Sequence, residues 1–274
     1  MEEITIVFGY TIAFFIAAGI GLISSIIGMG GGFLYVPTLT LIFGLDQKMA
    51  VGTSLAVMVF SSFAATLVYQ RQQNILYAVA ALLIVPGSIF SVLGSVLTSY
   101  IDAWILVVLF SFVLILMSLQ MLIPSFRLVP PLLYGPSLQV HTSGPDEKNN
   151  SISIMYLHLV IWGAMGGLIS GTTGISSGVL FVPALVAIGI PVHFAVATSL
   201  LTIIPTSLSG AATHAVLGHI SLPFLAVYGA GAGIGAYAGA SIAPRIHADH
   251  IRKFFGILLV VIALLMIQQK VIGG

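Results

Sequence analysis

The stretch GLISSIIGMGGGFLYVP, residues 21–37, returns as GLISGTTGISSGVLFVP at residues 167–183. A shift of 146 places Gly21 to Ser24 on Gly167 to Ser170, Gly28 on Gly174, Gly32 on Gly178 and Val36-Pro37 on Val182-Pro183. From residue 21 to 39, ten of nineteen pairs are identical. After a one-residue slip, Gly44 matches Gly189, Thr53-Ser54-Leu55 matches Thr198-Ser199-Leu200, Ile75 meets Ile220 and Gly94 meets Gly239. Shared hydrophobicity does not place Gly, Pro and Thr-Ser together, so the chain is a duplicated unit.

The repeated stretch is also where a helix must break. Glycine costs about 1 kcal/mol against alanine inside a helix, and Gly30-Gly31-Gly32 are contiguous. Unpaired backbone at membrane depth is tolerated only where protein or a water-filled cavity covers it. Such depth is implied by the composition. Of 274 residues, 59% are hydrophobic and 5% charged, against roughly a quarter charged in soluble domains. The formal net charge of +1 excludes nucleic acid as a partner, because phosphate recognition needs a basic face. Without cysteine, disulfides and thiolate metal sites are excluded. Met1-Glu2-Glu3 lacks the basic start of a signal peptide, so the first apolar run reads as a retained span in contact with membrane lipid.

A span needs about 20 apolar residues. Residues 4–27, 48–70, 75–99, 103–123, 153–172, 193–217, 221–243 and 250–268 qualify. The shorter runs 33–43 and 178–189 follow the glycine breaks and read as half-helices or re-entrant segments. The expected fold is all-α and polytopic: two inverted-topology repeats, each of four spans plus one short broken helix. The first repeat covers 1–123 and the second 153–274. Between them, 124–152 reads as a polar, proline-punctuated linker centred on Gly144-Pro145-Asp146-Glu147-Lys148.

Loop charges support the inversion. Arg71 has no cationic counterpart near 216–219, whereas Arg245, Arg252 and Lys253 lie near a loop whose counterpart holds only Asp102. Cytoplasmic loops are the positive ones. With Arg127 and Lys148, six of eight cations fall on one face, against Lys48 and Lys270. Both termini are expected outside a cell membrane.

The breaks are the candidate binding site. Half-helix N-termini offer free amides and about half a positive charge to an anion, and secondary transporters use such breaks near the bilayer midplane. Gly30, Gly31 and Gly32, with Ser176, Ser177 and Gly178, are the candidate cradle; close packing through small residues is the competing reading. Thr53 and Ser54, Thr198 and Ser199, and Thr172 and Thr173 are candidate neutral donors, against the common alternative that such hydroxyls bond their own helix. His214, matched by Tyr69, is a possible proton relay or a hydrogen-bonded structural histidine. No carboxylate lies in a span, so no acid–base catalysis, cofactor or metal site is expected and the chain reads as a non-enzyme.

The segments at 28–37 and 174–183, with Gly-Thr-Ser-Leu at 52–55 and Ala-Thr-Ser-Leu at 197–200, resemble those of the TauE/SafE sulfite-exporter family. The resemblance spans nearly the whole chain. It implies a transporter of small sulfur oxyanions, sulfite or sulfonates such as sulfoacetate, with Gly30 to Gly32, Thr53, Ser54, Ser176 to Gly178, Thr198 and Ser199 as site residues. Ser176 and Ser177 depart from the all-glycine pattern. Alternating access is the expected mechanism. An anion channel and a non-transporting membrane assembly factor are the alternatives; direction, coupling ion and oligomeric state are not encoded in these motifs.

Overall fold

The computed structural model describes residues 2–122, 145–245, 259–266 and 268. It is all-helical. In chain order the helices are α1 (Glu2–Ile27), α2 (Gly32–Ile42), α3 (Gln47–Arg71), α4 (Tyr77–Leu97), α5 (Ala103–Leu122), α6 (Pro145–Thr173), α7 (Gly178–Ala187), α8 (Val192–Val216) and α9 (Leu222–Ile242). A 3₁₀ turn, Ala243–Arg245, follows, and residues 259–266 are helical. Among the described residues five helices are long and apolar enough to cross a membrane, and large apolar side chains such as Phe8, Phe15, Val85 and Leu222 stay exposed on the outside. This is a polytopic membrane protein.

The expected spans match these helices to within a few residues, with one correction. Residues 145–152, assigned above to the linker, are the first turns of α6. Proline is well tolerated at the first helical position, where its missing N–H has no partner to lose. The remaining linker residues, and residues 246–258 of the last expected span, lie outside the described residues. The short apolar runs are helices as expected, but α2 is not uniform. It is α-helical to Pro37 and π-helical from Thr38 to Ile42. Pro37 brings no N–H to the ladder, and the wider turn that follows closes from Phe43 N to Thr38 O.

Helices α3 and α8 form the centre and are buried over most of their length, whereas α1 and α4 are buried over about a third. The most extensive contacts join α1 to α9 and α4 to α6. These are equivalent pairs under the repeat, and each joins one half to the other. Small residues make them possible. Ideal Cβ atoms on Gly231, Gly235 and Gly239 would strike the carbonyls of Phe14, Ala18 and Leu22; those on Gly163, Gly167 and Gly171 would strike the carbonyls of Leu83, Gly87 and Ser91. Spacing by four on both helices puts these contacts on one face each and makes both pairs parallel. Without glycine the backbones would have to separate.

Helices α3 and α8 also end alike. Gln73 (φ +57°) and Gly218 (φ +74°) are left-handed, and the next residue's amide reaches back five positions, Asn74 N to Tyr69 O and His219 N to His214 O. This is the Schellman closure of a helix.

Candidate functional site

The two breaks use different backbone geometry. After α1, Gly28, Gly30 and Gly31 take φ of +81°, +68° and +90°, a region that L-residues with a Cβ rarely enter. After α6 only Gly174 does so, at +72°. Ser177 caps α7 at φ −57°, ψ −25°. Serine is therefore sterically acceptable at 177, where Gly31 is required in the first half.

The breaks cross each other at the centre. Ser54 on α3 donates to the carbonyl of Gly174 at 3.1 Å, and Ser199 on α8 donates to that of Gly28 at 2.8 Å. Each half thus ties down the break of the other. A Cβ on Gly32 would strike the Gly174 carbonyl, one on Gly178 would lie 2.6 Å from the Gly28 carbonyl, and one on Gly30 would lie 2.6 Å from the Ser176 hydroxyl. Sequence reasoning could pair these residues by repeat but not bring them into contact.

The other hydroxyls mostly serve backbone. Thr53 Oγ1 accepts from Ser221 N and Thr198 Oγ1 from Leu76 N, both at 3.0 Å, so each supports the start of a helix in the opposite half, α9 and α4 respectively. Thr172 and Thr173 donate to carbonyls of their own helix, Leu168 or Ile169, and Thr173 also accepts from Ile175 N. Ser176 accepts from Gly178 N at 3.2 Å, and Ser177 shares a 3.3 Å hydrogen bond with Thr206.

Several donors at the breaks remain open. The amides of Gly30, Gly32 and Phe33, and those of Ser176 and Ser177, have no backbone acceptor among the described residues. The hydroxyl of Tyr35 is also buried and without a hydrogen-bond partner, as, within α3 and α8, are those of Ser62 and Ser207, which are equivalent under the repeat. A buried donor left unpaired costs roughly 1–3 kcal/mol, so such a group is informative. None of these three hydroxyls was singled out from sequence. The available signals were the replacement of Tyr35 by Phe181 in the second copy and the match of Ser62 with Ser207 under the repeat.

His214 is buried, with Nε2 3.1 Å from the Gly171 carbonyl and Nδ1 3.3 Å from Nδ1 of His219. The first contact makes Nε2 the protonated nitrogen, leaving Nδ1 to accept from His219. Tyr69, its counterpart, donates to Ser25 O at 3.1 Å, and Ser25 is the counterpart of Gly171. His214 therefore fills a structural position that both halves possess, at the closing turn of α8, and His219 follows it there. His219, outside the span, has its pKa lowered by desolvation and by Lys48, with Asp46 opposing. No three His, Asp or Glu side chains assemble among the described residues.

The family description "Sulfite exporter TauE/SafE" matches residues 13–266. The chain belongs to the TauE/SafE family. Its relatives include the probable membrane transporter protein YunE of Bacillus subtilis, 26% identical over 92% of this chain and 94% of that protein. The probable membrane transporter protein YdhB of the same organism is 31% identical over 81% and 85%. A probable membrane transporter protein of Methanocaldococcus jannaschii is 26% identical over 90% and 91%. No solved structure matches. As a TauE/SafE protein the chain is a multi-pass membrane transporter, and its family and relatives indicate transport rather than enzymatic chemistry.

Proposed function

We propose that this transporter carries a small sulfur oxyanion, sulfite or a sulfonate such as sulfoacetate, held where the two breaks cross and released to either side by alternating access. The observation that carries the reading is the set of amides at Gly30, Gly32, Phe33, Ser176 and Ser177 without a backbone acceptor among the described residues, in two breaks that pack against each other in the core. Amides at helix starts complement negative charge, and burial strengthens each hydrogen bond to it. The cross-half bonds from Ser54 and Ser199 couple the two breaks mechanically, as a carrier that moves one half against the other requires. Serine and threonine hydroxyls remain able to rotate toward a ligand when these bonds change.

Reconstituted proteoliposomes test this. Sulfite flux is expected to saturate with concentration, and unlabelled sulfite on the far side is expected to accelerate entry of labelled sulfite. Linear flux without such counterflow would identify a channel instead. No sulfite or sulfonate flux above that of empty liposomes would sink the oxyanion reading and favour an assembly role.

A further inference from the structure

The donors at the crossing carry no full positive charge. Among the described residues the cations sit at helix ends: Lys48 at the start of α3, Arg71 at its end and exposed, Lys148 in the first turn of α6, and Arg245 exposed beyond α9. The buried polar side chains outside the aromatic residues are serines, threonines, Gln47 and His214, and the ring nitrogens of His214 are engaged at the far end of α8. Whatever enters the crossing is met by neutral hydrogen-bond donors.

The donors are also unequal between the halves. Tyr35 is fully buried at 0% exposure, and its hydroxyl has no hydrogen-bond partner. It points into the first break: a Cβ on Gly31 would lie 2.6 Å from Cε2, 2.8 Å from Cζ and 3.0 Å from the hydroxyl oxygen of Tyr35. The neighbouring hydroxyls of Ser24 and Ser61 give their hydrogens elsewhere, to Gly21 O at 3.1 Å and to Met58 O at 3.3 Å or Gly30 O at 3.4 Å. At the matching place in the second half Phe181 offers no donor, and its ring turns onto Gly166. Bare Gly31 is thus what allows a phenol to reach the break.

We propose that the ligand of this site is a singly charged oxyanion, a sulfonate or the half-protonated form of a diprotic acid, seated off-centre at the first break on the Tyr35 hydroxyl, and that doubly charged oxyanions are rejected. The proposal rests on the anion-transport reading and narrows it. The cost of removing an ion from water rises with the square of its charge, so a dianion costs about four times as much as a monoanion of the same size. Neutral donors to a charged partner each return only part of that cost. A handful of amides and one phenol can offset the cost for one charge. For two charges a buried arginine or lysine would be needed, and the core has none among the described residues. A half-protonated acid also carries an O–H, which the acceptor lone pairs of Ser24 and Ser61 can receive.

The test uses purified full-length protein, with methanesulfonate as a permanent monoanion and sulfate as a permanent dianion, read by calorimetry and by flux. Wild-type protein is expected to bind and carry methanesulfonate and to bind sulfate at least tenfold more weakly. Tyr35→Phe is expected to bind methanesulfonate at least tenfold more weakly while its ligand-free Tm does not fall, because the lost hydroxyl had no partner. Tyr228→Phe, which removes a hydroxyl bonded to Thr38 instead, is expected to bind like wild type. Sulfate binding equal to or tighter than methanesulfonate overturns the proposal without any variant and leaves anion transport standing. So does unchanged methanesulfonate affinity in Tyr35→Phe. Wild-type protein that neither binds nor carries any sulfur oxyanion overturns this proposal together with the transport reading.

Discussion

The first break winds three left-handed glycines around a tyrosine; the second turns on one left-handed glycine, two serines and a phenylalanine. Yet the bonds that hold the two breaks together are the same. Serine on α3 or α8 reaches the glycine carbonyl of the opposite half, and threonine one residue earlier reaches the amide that opens α9 or α4. Symmetry here resides in backbone-directed bonds, while the side chains that face the crossing are free to differ. A duplicated transporter can therefore keep a balanced skeleton and still bind an asymmetric ligand on one side.

The strongest challenge to this comparison is steric. Gly32→Ala and Gly178→Ala each drive a methyl group into the glycine carbonyl of the opposite break. Overpacking of this kind costs about 1–3 kcal/mol or more, and both variants are expected to show a clearly lowered Tm in detergent. If one of them is as stable as wild type, the two breaks are not packed equivalently. A smaller effect is expected from Thr53→Val and Thr198→Val. Each removes the acceptor for one helix-opening amide, worth about 1 kcal/mol by analogy with N-cap losses, and the two losses should be similar. A variant that loses oxyanion affinity at unchanged Tm would instead make that threonine a ligand.

The smallest effect separates His219 from its counterpart Asn74. The folded-state pKa of His219 lies below the ordinary 6.5, so below that value the unfolded chain binds more protons than the folded one. The stability this group contributes is intact at neutral pH and is lost as pH falls through the ordinary histidine range. His219→Asn, which installs the first-half residue, is expected to make Tm fall less steeply between about pH 7 and about pH 5. An identical slope would show that the residue titrates as it does in the unfolded chain.

Much of this was legible in the repeat itself. Gly28 to Gly32 and Gly174 to Gly178 marked the breaks because only glycine relieves the backbone there, and the flanking apolar runs gave the helices nearly to their ends. The start of α6 was misread because Pro145 and its polar neighbours look alike in a linker and in a first helical turn. The site was harder to read. Thr53 and Thr198 carried a repeat signature, but their hydrogen-bond partners lie 168 and 122 residues away, and no local pattern reveals a donor at that distance. Tyr35 was hidden for the opposite reason. A tyrosine among Phe, Leu and Val reads as core, and only the missing partner on its hydroxyl distinguishes it.

The parallel pairing of α1 with α9 has a consequence for how the protein is made. Helix α1 leaves the ribosome early, and nearly two hundred residues must follow before α9 exists. At synthesis rates of roughly 5–20 residues per second this is on the order of 10–40 s. A helix can wait in lipid, since its own turns satisfy its backbone, but its flat face of small residues waits unclaimed. Helix α6 carries the same Gly-Leu-Ile-Ser and finds α4 already in the bilayer. The second half thus closes on a finished surface, while the first remains open until the last spans arrive to lock it.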